Sequence, residues 1–169
     1  MNSLPADIAV VGGGPAGLMA AETLAAAGAR VHLFDAMPTV GRKFLLAGRG
    51  GLNLTHSEGA GSFASRFGER SAQLQPWLAA VGPLQVRDWA HGLGVETFVG
   101  TSGRVFPKDM KAAPLLRAWL HRLRAAGVQF HMRHRWLGAL EGSATGGPGS
   151  AWSLRFASPS GDVALQAGG

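Results

Sequence analysis

Several residue types that carry chemistry are absent from this 169-residue chain. It has no cysteine, which excludes disulfides, thiolate metal ligands and a cysteine nucleophile. It has no tyrosine either, so no phenol can serve as an acid or as a stacking ring. A chain without cysteine fits a reducing compartment, and we expect the protein to be cytoplasmic.

Long apolar runs and a basic leader are missing as well. The first residues, MNSLPADIAVVGGG, lack the positively charged start of a signal peptide. No stretch reaches the roughly 20 apolar residues that a membrane span needs. No nucleophile elbow surrounds a serine, so the sequence does not support a hydrolase. We therefore expect a soluble protein that does not act at a membrane.

The composition is that of a folded protein with a basic surface. Apolar residues make up 46% and charged residues 15% of the chain, which fits a globular domain. The net charge of +6 suits nucleic acid, an acidic membrane surface or phosphorylated ligands. No RNA- or DNA-binding module is recognisable, so we do not expect a nucleic-acid partner. The arginine-rich stretch from Arg104 to Arg135 keeps an RNA-associated role as an alternative.

The first 35 residues have the pattern of a strand, a helix and a second strand. Residues 8–11 form a short apolar run ending at glycine, which predicts a buried strand. Residues 18–27 place apolar side chains at helical spacing, and Gly28 stands where a helix-ending glycine belongs. Residues 30–35 predict the next strand. This βαβ pattern predicts an α/β fold, a Rossmann-like domain with a parallel sheet.

The rest of the chain alternates short helices and strands. We predict a polar loop over residues 57–65, helices over 72–82, 84–94 and 111–127, and a strand pair at 95–100 and 104–107. A strand over 128–132 follows, and residues 142–150 predict a flexible turn. Alternating apolar side chains then predict an antiparallel β-hairpin over 151–157 and 162–167.

A glycine-rich motif lies between the first strand and the first helix. In Gly12-x-Gly14-x-x-Gly17, the first glycine permits a tight turn, the second lets the backbone approach a pyrophosphate, and the third lets helix and strand pack closely. Free N–H groups and the helix dipole favour the phosphate charge there. Asp35 closes the second strand and can accept hydrogen bonds from a ribose, while its charge disfavours a 2′-phosphate. The motif alone leaves FAD and NAD as alternatives.

A second glycine-rich segment, GRKFLLAGRGGLNLT, follows at residues 41–55. Together with GGGPAG and HLFD before it and GRVFP after it, this segment resembles the bacterial aminoacetone-oxidase-like NAD(P)/FAD-dependent oxidoreductases. The resemblance covers most of residues 7–136. It implies FAD as cofactor, with NAD(P)H as a candidate electron donor, and an oxidoreductase activity whose substrate and catalytic residues the sequence does not assign.

The resemblance also implies which residues would contact FAD. The pyrophosphate, ribose, flavin and adenine contacts carried over are Gly12, Gly14, Pro15, Ala16, Gly17, Asp35, Arg42, Lys43, Gly48, Asn53, Leu54 and the main chain at Trp136. The chain departs from the family pattern at three places. Asp35 stands where glutamate is usual, Leu52 where cysteine is frequent, and Gly51 where arginine is usual, although Arg49 lies two residues earlier.

The chemistry of the residues agrees with that implication. The FAD pyrophosphate is a dianion, and one helix N-terminus supplies only about half a positive charge. Arg42 and Lys43 can supply the rest, each contributing roughly 1–3 kcal/mol when within hydrogen-bond reach. The competing interpretation is a solvated basic loop. A further alternative is a Rossmann module that holds NAD or another nucleotide without redox work.

The resemblance also concerns domain organisation. We expect residues 1–169 to be the N-terminal, FAD-binding part of a larger protein with two dinucleotide-binding regions. The inserted domain and the C-terminal FAD segment of the family are absent from this sequence. We therefore expect the chain alone to bind FAD weakly and to have no turnover.

Histidines and tryptophans are the remaining candidates. On one strand, His131 and His134 would point to opposite faces, so we expect no metal site. His56 follows the second glycine segment, and we expect a polar loop residue that can approach a flavin only as the alternative. Four tryptophans on apolar faces are expected in the core. They are Trp77, Trp89, Trp119 and Trp152.

Overall fold

A computed structural model describes residues 3–6, 8–47, 50–142 and 151–168. The chain divides into two compact units. The first unit comprises Met1–Phe44 and Leu120–Gly169, and the second comprises Leu45–Trp119. Within the described residues, no helix has the length and apolar character needed to cross a membrane.

The described residues form ten strands and six α-helices. A 3-10 turn, Gly68–Arg70, precedes the fourth helix. In chain order the elements are β1 (Ser3–Ala6), β2 (Ile8–Val11), α1 (Pro15–Ala26), β3 (Val31–Asp35), α2 (Arg42–Ala47), β4 (Thr55–His56), α3 (Ala60–Ser65), α4 (Ser71–Ala80), α5 (Pro83–Gly92), β5 (Thr97–Val99), β6 (Arg104–Pro107), α6 (Ala112–Ala125), β7 (Gln129–Met132), β8 (Arg135–Gly142), β9 (Ala151–Ser158) and β10 (Gly161–Gly168).

The first unit contains the predicted parallel sheet. Its strand order is β2-β3-β7, and both pairings are parallel, with Leu33 opposite Val10 on one side and Phe130 on the other. Helix α1 connects β2 to β3, which confirms the βαβ unit. The helix begins at Pro15 rather than at residue 18, because Gly14 takes an extended N-cap conformation and proline fits the first helical position. Gly28, at φ 89°, ends it as predicted.

A second sheet in the first unit has the order β1-β10-β9-β8. The predicted hairpin is present as the antiparallel pair β9 and β10, and β1 adds to β10 in parallel. This sheet packs on one face of the parallel sheet, where Phe34 stacks on Phe156 with 4.1 Å between ring centroids. Leu154, Leu165 and Ala167 complete that core. Most of the turn predicted over 142–150 lies outside the described residues.

Helix α1 packs on the other face of the parallel sheet. Strand alternation points Leu33 away from Phe34, and α1 contacts β2 and β3. The buried residues of α1 are Leu18 and Ala21, which confirms the predicted apolar face. Helix α1 is also linked to the end of α6 by an ion pair, Arg122 Nη2 to Glu22 Oε1 at 2.6 Å. The first unit therefore has a helix layer, a parallel sheet and a mixed sheet.

The second unit contains a small antiparallel sheet of order β4-β6-β5. The predicted strand pair is present as β5 and β6. The predicted loop over 57–65 contains a short helix instead, α3 at residues 60–65, and the glycine-rich segment at 41–55 contains another, α2 at residues 42–47. Helix α2 begins immediately after Gly41, whose φ of 70° turns the chain into it. Neither helix was predicted, because each has only six residues, too few to show a helical period of apolar side chains.

Two tryptophan predictions are confirmed and two are wrong. Trp119 is 2% exposed, and Trp89 packs edge-on against it at 4.7 Å between centroids. Trp77 is 71% exposed, because α4 buries none of its residues. Trp152 lies near the beginning of β9 and keeps 38% of its surface exposed.

Candidate nucleotide-binding site

The loop between β2 and α1 is closed by contacts at its first and last glycines. Gly12 has φ 106°, and its N–H donates to the carbonyl of Phe34 at 2.8 Å. A Cβ on Gly17 would collide with the carbonyl oxygen of Gly12. The tight turn and the close packing predicted for these two glycines are therefore both present.

The two glycines between them differ sharply in their surroundings. A Cβ on Gly13 would collide with the side chain of Val40 and would lie 2.9 Å from Asp35 Oδ2. A Cβ on Gly14 would meet nothing within 4 Å. Gly14 thus faces open space at the beginning of α1, where a ligand can reach the backbone. The sequence analysis did not predict that position 13 requires glycine.

Asp35 holds the loop in place through both carboxylate oxygens. The N–H of Gly13 donates to Oδ2 at 2.7 Å, and the N–H of Met37 donates to Oδ1 at 2.8 Å. Each oxygen has a second lone pair, and the residue is partly exposed. The carboxylate is thus oriented by the backbone and still has acceptor capacity for a ribose hydroxyl.

The N-terminus of α1 is open to a ligand. Pro15 and Ala16 occupy its first positions and are exposed. Gly14 has no side chain, and no side-chain hydrogen bond caps this end of the helix within the described residues. The N–H groups of the first turn and the helix dipole therefore form the kind of site that binds phosphate.

The second glycine-rich segment is bonded directly to the first. The N–H of Gly41 donates to the carbonyl of Gly13 at 2.7 Å, and Val40 is buried against Gly13. Helix α2 begins at the next residue, so Arg42 and Lys43 follow this contact immediately. Both are exposed. The fold thus brings the start of the basic segment beside the loop, within the same unit.

Three of the other predicted residues are farther along the chain. Gly48 lies outside the described residues. Asn53 and Leu54 belong to the second unit, where Asn53 is exposed and the N–H of Leu54 donates to the carbonyl of Val105 at 2.9 Å. This segment therefore runs beside β6.

Strand β8, which carries Trp136, begins beside the end of β3. The N–H of His134 donates to the carbonyl of Asp35 at 2.9 Å, and that of Arg133 to the carbonyl of Met37 at 3.1 Å. Trp136 itself is 41% exposed. The carboxyl end of β3, the glycine loop and the beginning of β8 therefore meet at one end of the first unit.

A pair of stacked histidines lies between the two sheets of the first unit. His32 Nδ1 and His131 Nε2 are 3.0 Å apart, and both rings stack near Phe34. Burial lowers the pKa of His131, and the neighbouring His32 and His134 lower it further, to about 4. Burial, then Arg30, lowers the pKa of His32. At neutral pH the pair is uncharged and packs as part of the core.

The predicted opposite orientation of His131 and His134 is wrong. Strand β7 ends at Met132, and Arg133 has φ 60°, so alternation does not continue to His134. The two rings instead meet edge to face at 5.6 Å. No group of three or more histidine, aspartate or glutamate side chains among the described residues is arranged to hold a metal.

A parallel sheet with a glycine loop before its first helix, and an acid at the end of its second strand, defines a Rossmann-type domain. Residues 6–146 match the HI0933-like protein Rossmann domain, and the chain belongs to that family. The family match confirms the predicted α/β Rossmann-like fold. No sequence among the curated proteins matches the chain.

Solved structures of longer proteins share the fold. THI4 from Thermovibrio ammonificans is 19% identical with TM-score 0.61, covering 96% of this chain and 54% of THI4. The 3-ketosteroid-Δ4-(5α)-dehydrogenase from Rhodococcus jostii RHA1 is 16% identical with TM-score 0.71, covering 96% and 44%. Aklavinone-11 hydroxylase, solved with FAD and aklavinone, is 19% identical with TM-score 0.55, covering 99% and 32%. The chain spans about half of these proteins or less.

Proposed function

We propose that this chain is the FAD-binding region of a cytoplasmic flavoprotein oxidoreductase of the aminoacetone-oxidase-like group. Residues 1–169 would be the N-terminal cofactor region of the whole enzyme, which would also contain an inserted domain and a C-terminal FAD segment. Membership of the HI0933-like family supports the proposal. So does the shared fold with a hydroxylase whose structure contains FAD.

The observation that carries the proposal is the bond between the two glycine-rich segments. Because Gly41 donates to Gly13, Arg42 and Lys43 begin a helix next to the loop rather than in distant solvent. A dianionic pyrophosphate at the loop would gain the helix dipole and two cations. A simple glycine turn without a ligand would give these features no role.

The residues present fit FAD at each part that the first unit would hold. The backbone of Gly12, Gly14, Ala16 and Gly17 would bind the pyrophosphate, with Pro15 setting the beginning of the helix. Asp35 would accept from the ribose, and Arg42 and Lys43 would neutralise the phosphates. The main chain at Trp136 would meet the adenine. By the resemblance, Gly48, Asn53 and Leu54, which are not part of the first unit, would lie along the ribityl chain and the flavin.

The role of the protein in this proposal is to bind and orient the cofactor. FAD, when bound, supplies the redox chemistry. The loop fixes the phosphates through backbone groups already held by Asp35, so little ordering is needed on binding. NAD(P)H is the candidate electron donor, and the small-molecule substrate is unassigned.

A module that binds NAD without redox work is the second candidate. It is favoured by the glycine loop itself, because the same three glycines and acid serve NAD in other Rossmann domains. Asp35 would then hold the NAD ribose and disfavour the 2′-phosphate of NADP. The basic segment with Arg42 and Lys43 distinguishes the two candidates, because it favours a cofactor such as FAD that contacts the protein beyond the glycine loop.

Equilibrium titration of the protein encoded by the whole gene with FAD and with NAD decides between them, because we expect residues 1–169 alone to bind FAD weakly. We expect FAD to bind at least about tenfold more tightly than NAD, a difference of about 1.4 kcal/mol. Flavin fluorescence would follow FAD, and calorimetry would follow NAD. Tighter binding of NAD, with no measurable binding of FAD, would contradict the proposal and favour the second candidate.

A further inference from the structure

A cleft of about 390 Å³ lies within the second unit. Both polar and apolar side chains form it, and two of them are arginines. The lining residues are Asn53, Leu54, Thr55, His56, Phe63, Arg66 and Arg104.

The register of the small sheet fixes one side of this cleft. His56 on β4 pairs directly with Arg104 on β6, so their side chains share a face. Thr55 and Val105, the next pair, are both buried and lie on the opposite face. Leu54 precedes β4 and also lines the cleft. The cleft thus presents Arg104 beside an imidazole and an apolar side chain.

His56 is held rigidly and serves as a wall of the cleft. Its Nε2 lies 3.0 Å from the carbonyl of Ser102 and donates to it, while Nδ1 accepts from the N–H of Glu58 at 3.2 Å. Its ring also lies against Gly103, where a Cβ would collide with it. Both ring nitrogens are therefore engaged, which weakens the alternative that His56 acts on a flavin.

The charge of the cleft is positive. Arg66 is paired through Nε with Glu58, so that carboxylate is already neutralised and the outer guanidinium N–H groups of Arg66 remain. Arg104 is exposed, and no ion pair or hydrogen bond of its side chain occurs among the described residues. The other cation of this hairpin, Lys108, pairs instead with Glu96 at 2.8 Å. The side chain of Arg104 is therefore available to bind an anion.

We propose that this cleft binds the carboxylate of a small organic substrate, with Arg104 as the principal cation. The guanidinium can bind a carboxylate through two parallel N–H bonds. Arg66 and the amide of Asn53 provide further donors, and Phe63 and Leu54 contact the apolar part of the molecule. The inference rests on the proposed function, because the resemblance assigns Asn53 and Leu54 to positions beside the flavin.

Benzoate is a suitable probe, because it joins one carboxylate to an apolar ring. The protein would be titrated with benzoate by NMR, following the amide signals of residues 53–56 and 104, and separately with FAD by fluorescence. We expect Arg104→Gln to weaken benzoate binding about tenfold or more. Arg104→Lys should lose less, since a lysine keeps the charge without the bidentate geometry.

Arg117→Gln is the matched control, because it removes the same group from an exposed position of α6 in the same unit. It should bind benzoate and FAD as the parent does. Circular dichroism would verify that each variant is folded.

The FAD titration separates failure of this inference from failure of the proposed function. FAD binding without benzoate binding would overturn the carboxylate site and leave the proposed function intact. Weaker FAD binding by Arg104→Gln, with competition between FAD and benzoate, would assign Arg104 to the cofactor and also overturn the inference. Arg104-dependent benzoate binding without FAD binding would support the anion cleft and count against the flavoprotein proposal.

Discussion

The two glycine-rich segments both need glycine but differ in charge. In the first, Gly12, Gly13 and Gly17 are required by a positive φ or by a collision with a neighbouring atom. In the second, Gly41 and Gly51 also have positive φ, and Gly41 bonds to the first loop. Both segments therefore hold a fixed shape, and the second adds charge beside the first.

The charged side chains that accompany the two segments also differ in their contacts: Asp35 beside the first, and Arg42 and Lys43 in the second. Asp35 binds two backbone N–H groups of the folded chain. Arg42 and Lys43 are exposed, and their side chains make no hydrogen bond or ion pair within the part of the chain that the structure describes. Substitutions in the first region should therefore affect both folding and ligand binding, and those in the second should affect binding alone.

The largest effect is expected from Gly17→Ala. The added Cβ meets the backbone oxygen of Gly12, which cannot move aside as a flexible side chain can. We expect a loss of about 1–3 kcal/mol in the free energy of unfolding and loss of measurable FAD binding. Urea unfolding and fluorescence titration would measure the two.

Gly14→Ala is the matched control within the same loop. Its Cβ meets nothing, and its φ of −79° suits alanine, so stability should change by less than about 0.5 kcal/mol. FAD affinity should still fall about tenfold or more, since the methyl would occupy the space that a phosphate needs. Unchanged FAD affinity in Gly14→Ala would mean that the ligand does not approach this loop.

Asp35→Ala should produce the next largest effect. It removes the acceptor of two backbone N–H groups, at a cost of about 2 kcal/mol in unfolding free energy. FAD affinity should fall as well. Asp35→Glu is the informative control, because it keeps the charge with one more methylene and should retain FAD binding better than alanine does. Full stability in Asp35→Ala would show that the two hydrogen bonds do not hold the loop.

The pair Arg42→Ala and Lys43→Ala tests the second region. The double variant should weaken FAD binding about tenfold to a hundredfold, because two cations beside the pyrophosphate are lost. Its urea midpoint should match that of the parent. Lys111→Ala/Arg117→Ala, at two exposed positions of the second unit, controls for the loss of two positive charges. Lower stability with unchanged FAD affinity would reverse the contrast between the two regions.

The smallest effect is expected in the pH dependence of the free energy of unfolding, through His131 on β7, the strand that pairs with β3. The folded-state pKa of His131 lies near 4, below the ordinary value of about 6.5. The unfolded chain therefore binds the proton more readily, so stability is fully present above pH 6.5 and declines as the pH falls toward 4. Because the ring is partly exposed, we expect a loss of about 1 kcal/mol.

Urea unfolding at several pH values would measure this loss. His131→Gln should flatten the decline, whereas His121→Gln, at an exposed position of α6, should leave it unchanged. An equally steep decline in His131→Gln would show that other groups cause it.

The βαβ unit and the roles of two of its glycines could be predicted from residues close together in the sequence. Helical spacing in α1 and the positions of Gly12 and Gly17 depend on neighbouring residues, so the sequence contains them directly. The role of Gly13 depends on Asp35, 22 residues away, and on Val40. The histidine pair joins residues separated by 99 positions, because β7 lies beside β3. Such contacts follow from strand order, which periodicity does not specify.

The shortest helices could not be predicted from the spacing of apolar residues either. Helix α2 has six residues, fewer than two turns, so no apolar stripe can emerge. The exposure of Trp77 has a similar origin, since spacing shows that a helix forms but not which neighbour covers it. In the candidate site, the identity of the nucleotide rests on the resemblance of residues 41–55 and stays a prediction.

The most direct test of the central claim is to identify the nucleotide that the protein carries. The protein encoded by the whole gene would be purified, its visible absorption spectrum recorded, and any released nucleotide identified by mass spectrometry. We predict a flavin spectrum and FAD in the released fraction, with both lost in the Arg42→Ala/Lys43→Ala variant after dialysis. A colourless protein that contains no FAD and cannot be reconstituted with it would contradict the account.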